Sequence, residues 1–157
     1  MNKQEFTHRV VACEQRLFRI AYLTLGSYAS CEDAVQETLL KAWASRGSLR
    51  NPAYFETWLV RILINECRNL QRRKSAAPIP ELPQEATLPE PPDEILGDAL
   101  RALDPKYRTP ILLHHLEGYT VREAASILHI TPGVVRWRLE QGKRKLGELL
   151  ADEEEFE

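Results

Sequence analysis

Three sets of side chains in this 157-residue chain have the types and spacing to meet charged partners. Asp33, Gln36 and Glu37 stand at i, i+3 and i+4 on one helical face, an acidic and polar stripe suited to solvent or to a basic protein surface. Arg61, Asn65, Arg68, Asn69, Arg72 and Arg73 stand against a single acid, Glu66, and steps of four, three and four align Arg61, Asn65, Arg68 and Arg72 along one side. A purely structural face usually mixes signs to gain i,i+4 pairs, whereas one-sign clustering with interleaved asparagines suits phosphates and base edges. The third set is "RWRLEQGKRK", Arg136 to Lys145. A recognition helix enters the major groove by its N-terminal turns, which directs Arg136, Trp137, Glu140 and Gln141 to base edges. Arg138, Lys143, Arg144 and Lys145 then suit phosphates, with Arg122 on the preceding segment as a backbone anchor.

The chemistry on offer is recognition rather than bond-making. No Ser–His–Asp order, glycine-rich phosphate loop, H-E-x-x-H or paired-carboxylate arrangement is present, so no catalytic residue, metal, cofactor or small-molecule substrate is expected. His114 and His115 have no Cys, Asp or Glu at ligand spacing and read as helix-surface or interdomain residues. Cys13, Cys31 and Cys67 are odd in number and widely spaced, which points to core thiols in a reducing cytoplasm rather than to disulfides or zinc.

The elements that must position these groups are helical. Phe6, Val10, Cys13, Leu17 and Ile20 recur at steps of three and four, one buried stripe. A second helix is expected to open at Ser30 as its cap, with Asp33 as the capping-box acid and Val35, Leu39, Ala42 and Trp43 as its apolar face. Gly47 to Pro52 breaks the pattern, and a third helix follows that should bury Phe55, Leu59, Ile62 and Leu63. The helical spacing of Phe55 and Trp58 with Ile62 favours the core over a stacking platform. Nothing alternates at period two, so no strand is expected.

Farther on, Thr120 and Glu123 form a capping box, and Val121, Ala124, Ala125 and Leu128 turn inward. Thr131 caps a last helix that opens with Pro132 and buries Val135, Leu139 and Leu146. Two helices joined by "LHIT" make a helix-turn-helix. A left-handed conformation of His129 at the turn is allowed but less comfortable than it would be for glycine. Gly142 inside the last helix costs roughly 1 kcal/mol of helix propensity.

Between the halves, "SAAPIPELPQEATLPEPPDE" holds six of the ten prolines, which block regular structure. The net charge of −2 hides a partition. Residues 1–74 carry 12 bases and 7 acids, 75–97 carry 5 acids, 98–150 carry 9 bases and 6 acids, and "ADEEEFE" at 151–157 adds 5 acids. Two basic modules thus alternate with acidic segments, which read either as solvated spacers or as devices that weaken binding to random DNA. The expected fold is all-α, with two small helical domains, 1–74 and 95–150, joined by an acidic Pro-rich linker at 75–94 and followed by an acidic tail at 151–157.

"EDAVQETLLKAW" followed by "LRNPAYFETWLVRILINECRNLQRRK" resembles the second region of extracytoplasmic-function sigma factors, the promoter-recognition subunits of bacterial RNA polymerase. "ALRALDPKYRTPILLHHLEGYTVREAASILHITPGVVRWRLEQGKRKL" resembles their fourth region. The resemblance spans roughly residues 5 to 150, in the family's order and with a proline-containing linker. It implies that Asp33, Gln36 and Glu37 dock on the largest polymerase subunit. It implies that Arg50, Asn51 and Tyr54 hold an unstacked base of the −10 element, with Asn65, Arg68, Asn69 and Arg72 on the adjoining DNA, and that the C-terminal helix pair reads the −35 element. Core RNA polymerase, promoter DNA and an anti-sigma factor are the implied partners. The implied localisation is cytoplasmic, at the membrane where such an anti-sigma factor is embedded. Departures from the family pattern are the lack of an aromatic near Leu49, His129 in place of glycine, Gly142 in place of alanine, and Trp137 in place of a small residue.

Two other readings compete. A helix-turn-helix regulator with an N-terminal sensing or dimerising domain explains the C-terminal half but gives "DAVQE" and the basic third helix no purpose. A small enzyme lacks any supporting motif.

Overall fold

The computed structural model describes residues 1–76 and 94–155, which fall into two compact helical units with no strand among them. Residues 77–93 of the expected linker lie outside the described residues. At its edges the third helix runs on to Ala76 and the fourth opens at Glu94, and the last helix carries into the acidic tail as far as Glu155.

In the first unit, α1 (Lys3–Leu25), α2 (Tyr28–Ala44) and α3 (Phe55–Ala76) each pack against the other two. Asn2 caps α1 by accepting from the Glu5 amide at 2.8 Å, and Gly26 ends it in the left-handed region at φ +75, a conformation only glycine adopts without strain. Ser27, not Ser30, caps α2. Its side chain accepts from the Ser30 amide at 3.3 Å, and Ser30 itself is buried one turn inside the helix. The expected cap was displaced because Gly26 closes α1 immediately before Ser27, so the chain re-enters a helix three residues sooner.

The stripe Phe6, Val10, Cys13, Leu17 and Ile20 is buried, and so are Val35 and Ala42 on α2, with Leu39 and Trp43 half-buried. On α3 the buried set is Phe55, Leu59, Val60, Leu63, Ile64 and Cys67, and Ile62 is only half-buried. A helix held by two partners buries two adjacent stripes, and Ile62 falls at their margin. Leu17, Ile20, Leu59 and Leu63 are fully enclosed, each burial worth about 1.5–3 kcal/mol. Glu66, the lone acid of the basic helix, is buried at 3% exposure and pairs with Lys41 of α2, the arrangement a buried carboxylate requires.

At one end of this bundle an aromatic group sets the geometry of the following loop. Phe6 lies edge-on to Trp43 and Phe55, with centroids at 5.2 and 5.8 Å, and Phe55 meets Trp58 at 5.8 Å. The Arg46 guanidinium sits 3.7 Å from the centre of the Trp43 ring and donates to the Trp43 carbonyl at 2.7 Å.

In the second unit, α4 (Glu94–Ala102) and α5 (Pro105–Ile111) meet at a corner where Asp104 caps α5. Arg108 is buried there and donates to the carbonyls of Leu100, Leu103 and Arg101 at 2.9, 2.9 and 3.2 Å, closing the C-terminus of α4 with charge-assisted bonds. Pro110 removes one helical amide from α5, and the chain continues as a π turn, Leu112–Leu116, in which Glu117 bonds back to Leu112. The helix-turn-helix follows as α6 (Val121–Leu128) and α7 (Pro132–Glu155). Thr120 and Glu123 form the expected reciprocal cap with both bonds at 3.0 Å, and His129 takes the left-handed conformation at φ 56, ψ 43.

Gly142 is required by a helix crossing. A Cβ there would lie 2.7 Å from Ile111 Cδ1 and 3.1 Å from Tyr107 Cβ, so α5 reaches α7 over a bare backbone. Gly142→Ala should therefore lower stability by about 1 kcal/mol, because crowding outweighs the roughly 1 kcal/mol gain in helix propensity. Urea unfolding of the full chain checks the sign, and a stabilised variant would show that the crossing has slack.

Candidate nucleic-acid and protein interfaces

Asp33, Gln36 and Glu37 are all exposed on α2. Gln36 donates to Glu32 at 3.3 Å, while Asp33 and Glu37 make no hydrogen bond or ion pair among the described residues. Leu40, 66% exposed, continues the stripe by one turn. Leu40 was not among the residues that the sequence singled out. The spacing Asp33, Glu37, Leu40 was the signal that could have found it.

The loop before α3 carries Arg50, Asn51 and Tyr54 on the surface, with Tyr54 63% exposed. Asn51 caps a 3-10 turn over Pro52–Tyr54 by accepting from the Ala53 amide at 3.0 Å. Its carbonyl oxygen is thereby engaged, and its two amide protons remain for a ligand. Arg9 of α1 donates to the Pro52 carbonyl at 3.1 Å and braces the turn from behind, a role its sequence context did not suggest. On α3, Asn65, Arg68, Arg72 and Arg73 are exposed, whereas Arg61 and Asn69 are half-buried. The basic face is real but narrower than the sequence list. Phe55 is buried and Trp58 half-buried, in keeping with a core role.

On α7 the expected residues divide by angle. Seven residues make about two turns and nine about two and a half. Arg136, Glu140 and Lys143 therefore share one side, continuous with Trp137, Arg144 and Gln141, whereas Arg138 and Lys145 lie opposite Arg136 or toward α5. Contacts agree with the angles. Arg138 is half-buried, and the Lys145 ammonium stands 5.5 Å from the centre of the Tyr107 ring, which Lys106 also approaches at 5.0 Å. Lys145 and Tyr107 line a groove of about 440 Å³ with Asp104, Glu148, Leu149 and Asp152. Trp137 is 53% exposed and rests at a tilt against Tyr107, 6.3 Å between centroids, which holds the indole at the edge of the outward face. Arg122 is exposed on α6.

The three cysteines and His114 are occupied structurally. Burial pushes the thiol of Cys13 up to about 11 and those of Cys31 and Cys67 up to about 12, so all three are protonated and inert at neutral pH. His114 donates from Nδ1 to the Tyr119 carbonyl at 2.7 Å and ties the π turn to the start of the helix-turn-helix. No cluster of metal-ligating residues occurs among the described residues, and no described helix is long and apolar enough to cross a membrane.

Comparison with known proteins places both units. Residues 10–77 match the model of sigma-70 region 2, and residues 93–146 match sigma-70 region 4. The chain is 30% identical to the ECF RNA polymerase sigma factor SigE of Mycolicibacterium smegmatis over 87% of its own length and 58% of that protein's. It is 31% identical to the ECF RNA polymerase sigma factor SigL of Mycobacterium tuberculosis, over 83% of this chain and 80% of the relative. Its fold matches the sigma factor RpoE of Bartonella quintana, solved in complex with the anti-sigma factor NepR, at a TM-score of 0.80 and 25% identity over 94% of this chain and 98% of that one. With both regions matched, in the order that the sequence motifs implied, the chain belongs to the extracytoplasmic-function sigma factors of RNA polymerase.

Proposed function

We propose that the chain docks on core RNA polymerase, recognises promoter DNA through two separate helical modules and aids melting, so that a specific set of genes is transcribed. The observation that carries this is the pairing of an unpartnered acidic stripe on α2 with outward basic faces on α3 and α7, one in each sigma region. Residues 1–74 supply polymerase docking and −10 recognition, and residues 95–150 supply −35 recognition. The polymerase performs the chemistry, and the chain contributes binding energy alone. A plain helix-turn-helix regulator would leave region 2 without a task. RpoE's complex with NepR supports an anti-sigma factor as the partner that holds this protein inactive. Transcription in vitro with core polymerase on a promoter library tests the reading. Selective initiation that depends on the chain is the expected result, and no chain-dependent transcript would overturn it.

In this reading Asn51, Tyr54 and Arg50 receive a base only after it has left the stack, at an unstacking cost of a few kcal/mol. Asn65 and Arg68 secure the neighbouring backbone. A template already melted across its −10 element has met that cost. Asn51→Ala or Tyr54→Ala should then reduce abortive transcription on intact duplex by about tenfold, and clearly less on the melted template, if a base–aromatic contact is worth about 1–3 kcal/mol. Arg72 and Arg73, farther along α3, should affect both templates alike through charge. Equal fractional losses for the loop variants on the two templates would move the capture site elsewhere.

A further inference from the structure

The turn that carries Asn51 and Tyr54 takes its shape from bonds within one short segment. Asn51 accepts from the Ala53 amide at 3.0 Å, and the Tyr54 amide donates to the Asn51 carbonyl at 3.0 Å. The Phe55 amide donates to the Pro52 carbonyl, and the Thr57 hydroxyl donates to the Tyr54 carbonyl at 3.1 Å. These bonds shape the turn without tying it to the rest of the bundle. The tie comes from α1. Arg9 Nη1 donates to the Pro52 carbonyl at 3.1 Å, on the same oxygen that takes the Phe55 amide.

The half-buried guanidinium is held on its other edges as well. Its Nε and Nη2 reach Glu5 Oε1 at 3.4 and 3.3 Å, and the backbone of Glu5 is fixed by the Asn2 cap. Arg9 Cζ lies 5.9 Å from the centre of the Phe55 ring, which is buried edge-on against Phe6. A planar fork can meet a carboxylate, a carbonyl and a ring at once, which an ammonium cannot. Two turns farther along α1, Arg16 pairs with Glu56 and grips the start of α3 itself. Arg9 acts one turn earlier in the following segment, on the backbone that presents Tyr54.

We propose that Arg9 is a positioning residue for −10 opening, holding the Pro52–Tyr54 turn at one place on the bundle so that Asn51 and Tyr54 meet an extruded base already ordered. The proposal rests on the reading of this loop as the capture site. Tyr54 is 63% exposed, so packing of its own ring does little to place it, and its position follows that of the turn backbone. A turn left to wander must be ordered at the moment of capture, when binding has also to offset the cost of unstacking. A tether made beforehand removes the first of those costs. Arg9 need not touch DNA to do this.

The test uses holoenzyme with Arg9→Met, which keeps an unbranched apolar stem beside Phe55 and loses every donor. Abortive transcription on intact duplex should fall about two- to tenfold, the scale of one side chain left to be ordered on binding, with a clearly smaller loss on a template melted across its −10 element. In a Tyr54→Ala background the same substitution should cost much less, because Arg9 acts through the turn. Arg9→Lys, which retains a donor for the Pro52 carbonyl, should recover part of the loss. The slope of log Kobs against log[salt] should stay unchanged in Arg9→Met, since a positioning residue releases no counterions. Thermal melts set a temperature at which the variants remain folded. Where Arg9→Met unfolds the bundle, Glu5→Ala removes the partner that aligns the guanidinium and should show the same template dependence. Full additivity with Tyr54→Ala, or a salt slope reduced by about 0.9 as for a direct phosphate contact, overturns the proposal. Arg9→Met without effect, beside a Tyr54→Ala that still loses more on intact duplex, overturns this proposal alone. Equal losses on both templates for Tyr54→Ala overturn the capture loop with it.

Discussion

Asp33→Lys combined with Glu37→Lys is expected to lower affinity for core RNA polymerase at least about tenfold, or about 1.4 kcal/mol, with the fold intact. Both carboxylates are exposed and make no ion pair or hydrogen bond among the described residues, so their replacement costs stability within about 0.5 kcal/mol. Because Ser27 caps α2, Asp33 lies beyond the first turn and is released from any part in holding the helix start. A residue with no structural task, aligned with Gln36, Glu37 and the exposed Leu40, is free to face a partner. Charge reversal turns attraction to a basic surface into repulsion, a larger change than neutralisation. Titrated pull-downs with core polymerase, alongside thermal melts of the variant, read the two effects separately. Undiminished affinity would remove α2 from the docking surface.

The sequence carried α1 well, because the single period of Phe6, Val10, Cys13, Leu17 and Ile20 marks one narrow buried side. It carried α3 less well, because the buried arc there is wider and makes Val60, Ile64 and Cys67 core residues while Ile62 drops to the margin. The capping box at Thr120 was legible because it is local. Nonlocal packing was not. Nothing near Glu66 in sequence announces Lys41, nothing near Gly142 announces Tyr107 and Ile111, and nothing near Pro52 announces Arg9. The interface on α7 shows the same limit. Composition marks every base between Arg136 and Lys145 as a DNA contact, and the half-burial of Arg138 and the packing of Lys145 over Tyr107 divide them.

That division yields the sharpest expectation for −35 recognition. Arg136 lies one turn into α7, exposed and on the outward side, where a bidentate contact to a base edge contributes about 1–3 kcal/mol of discrimination. Arg136→Ala should therefore weaken binding to a matched −35 site by about five- to hundredfold and leave a scrambled site little changed. Lys143, two turns along the same side, is proposed as a phosphate contact, and Lys143→Ala should weaken both sites alike and reduce the salt slope by about 0.9. Lys145→Ala is the contrast. Its ammonium is directed at the Tyr107 ring on the far side from Arg136, so its loss should disturb DNA binding least of the three. Holoenzyme affinities for matched and scrambled promoters across a salt series separate these outcomes. Identical losses on the two promoters for Arg136→Ala and Lys143→Ala would mean that neither side chain reads a base, and the groove-facing side of α7 would have to be reassigned.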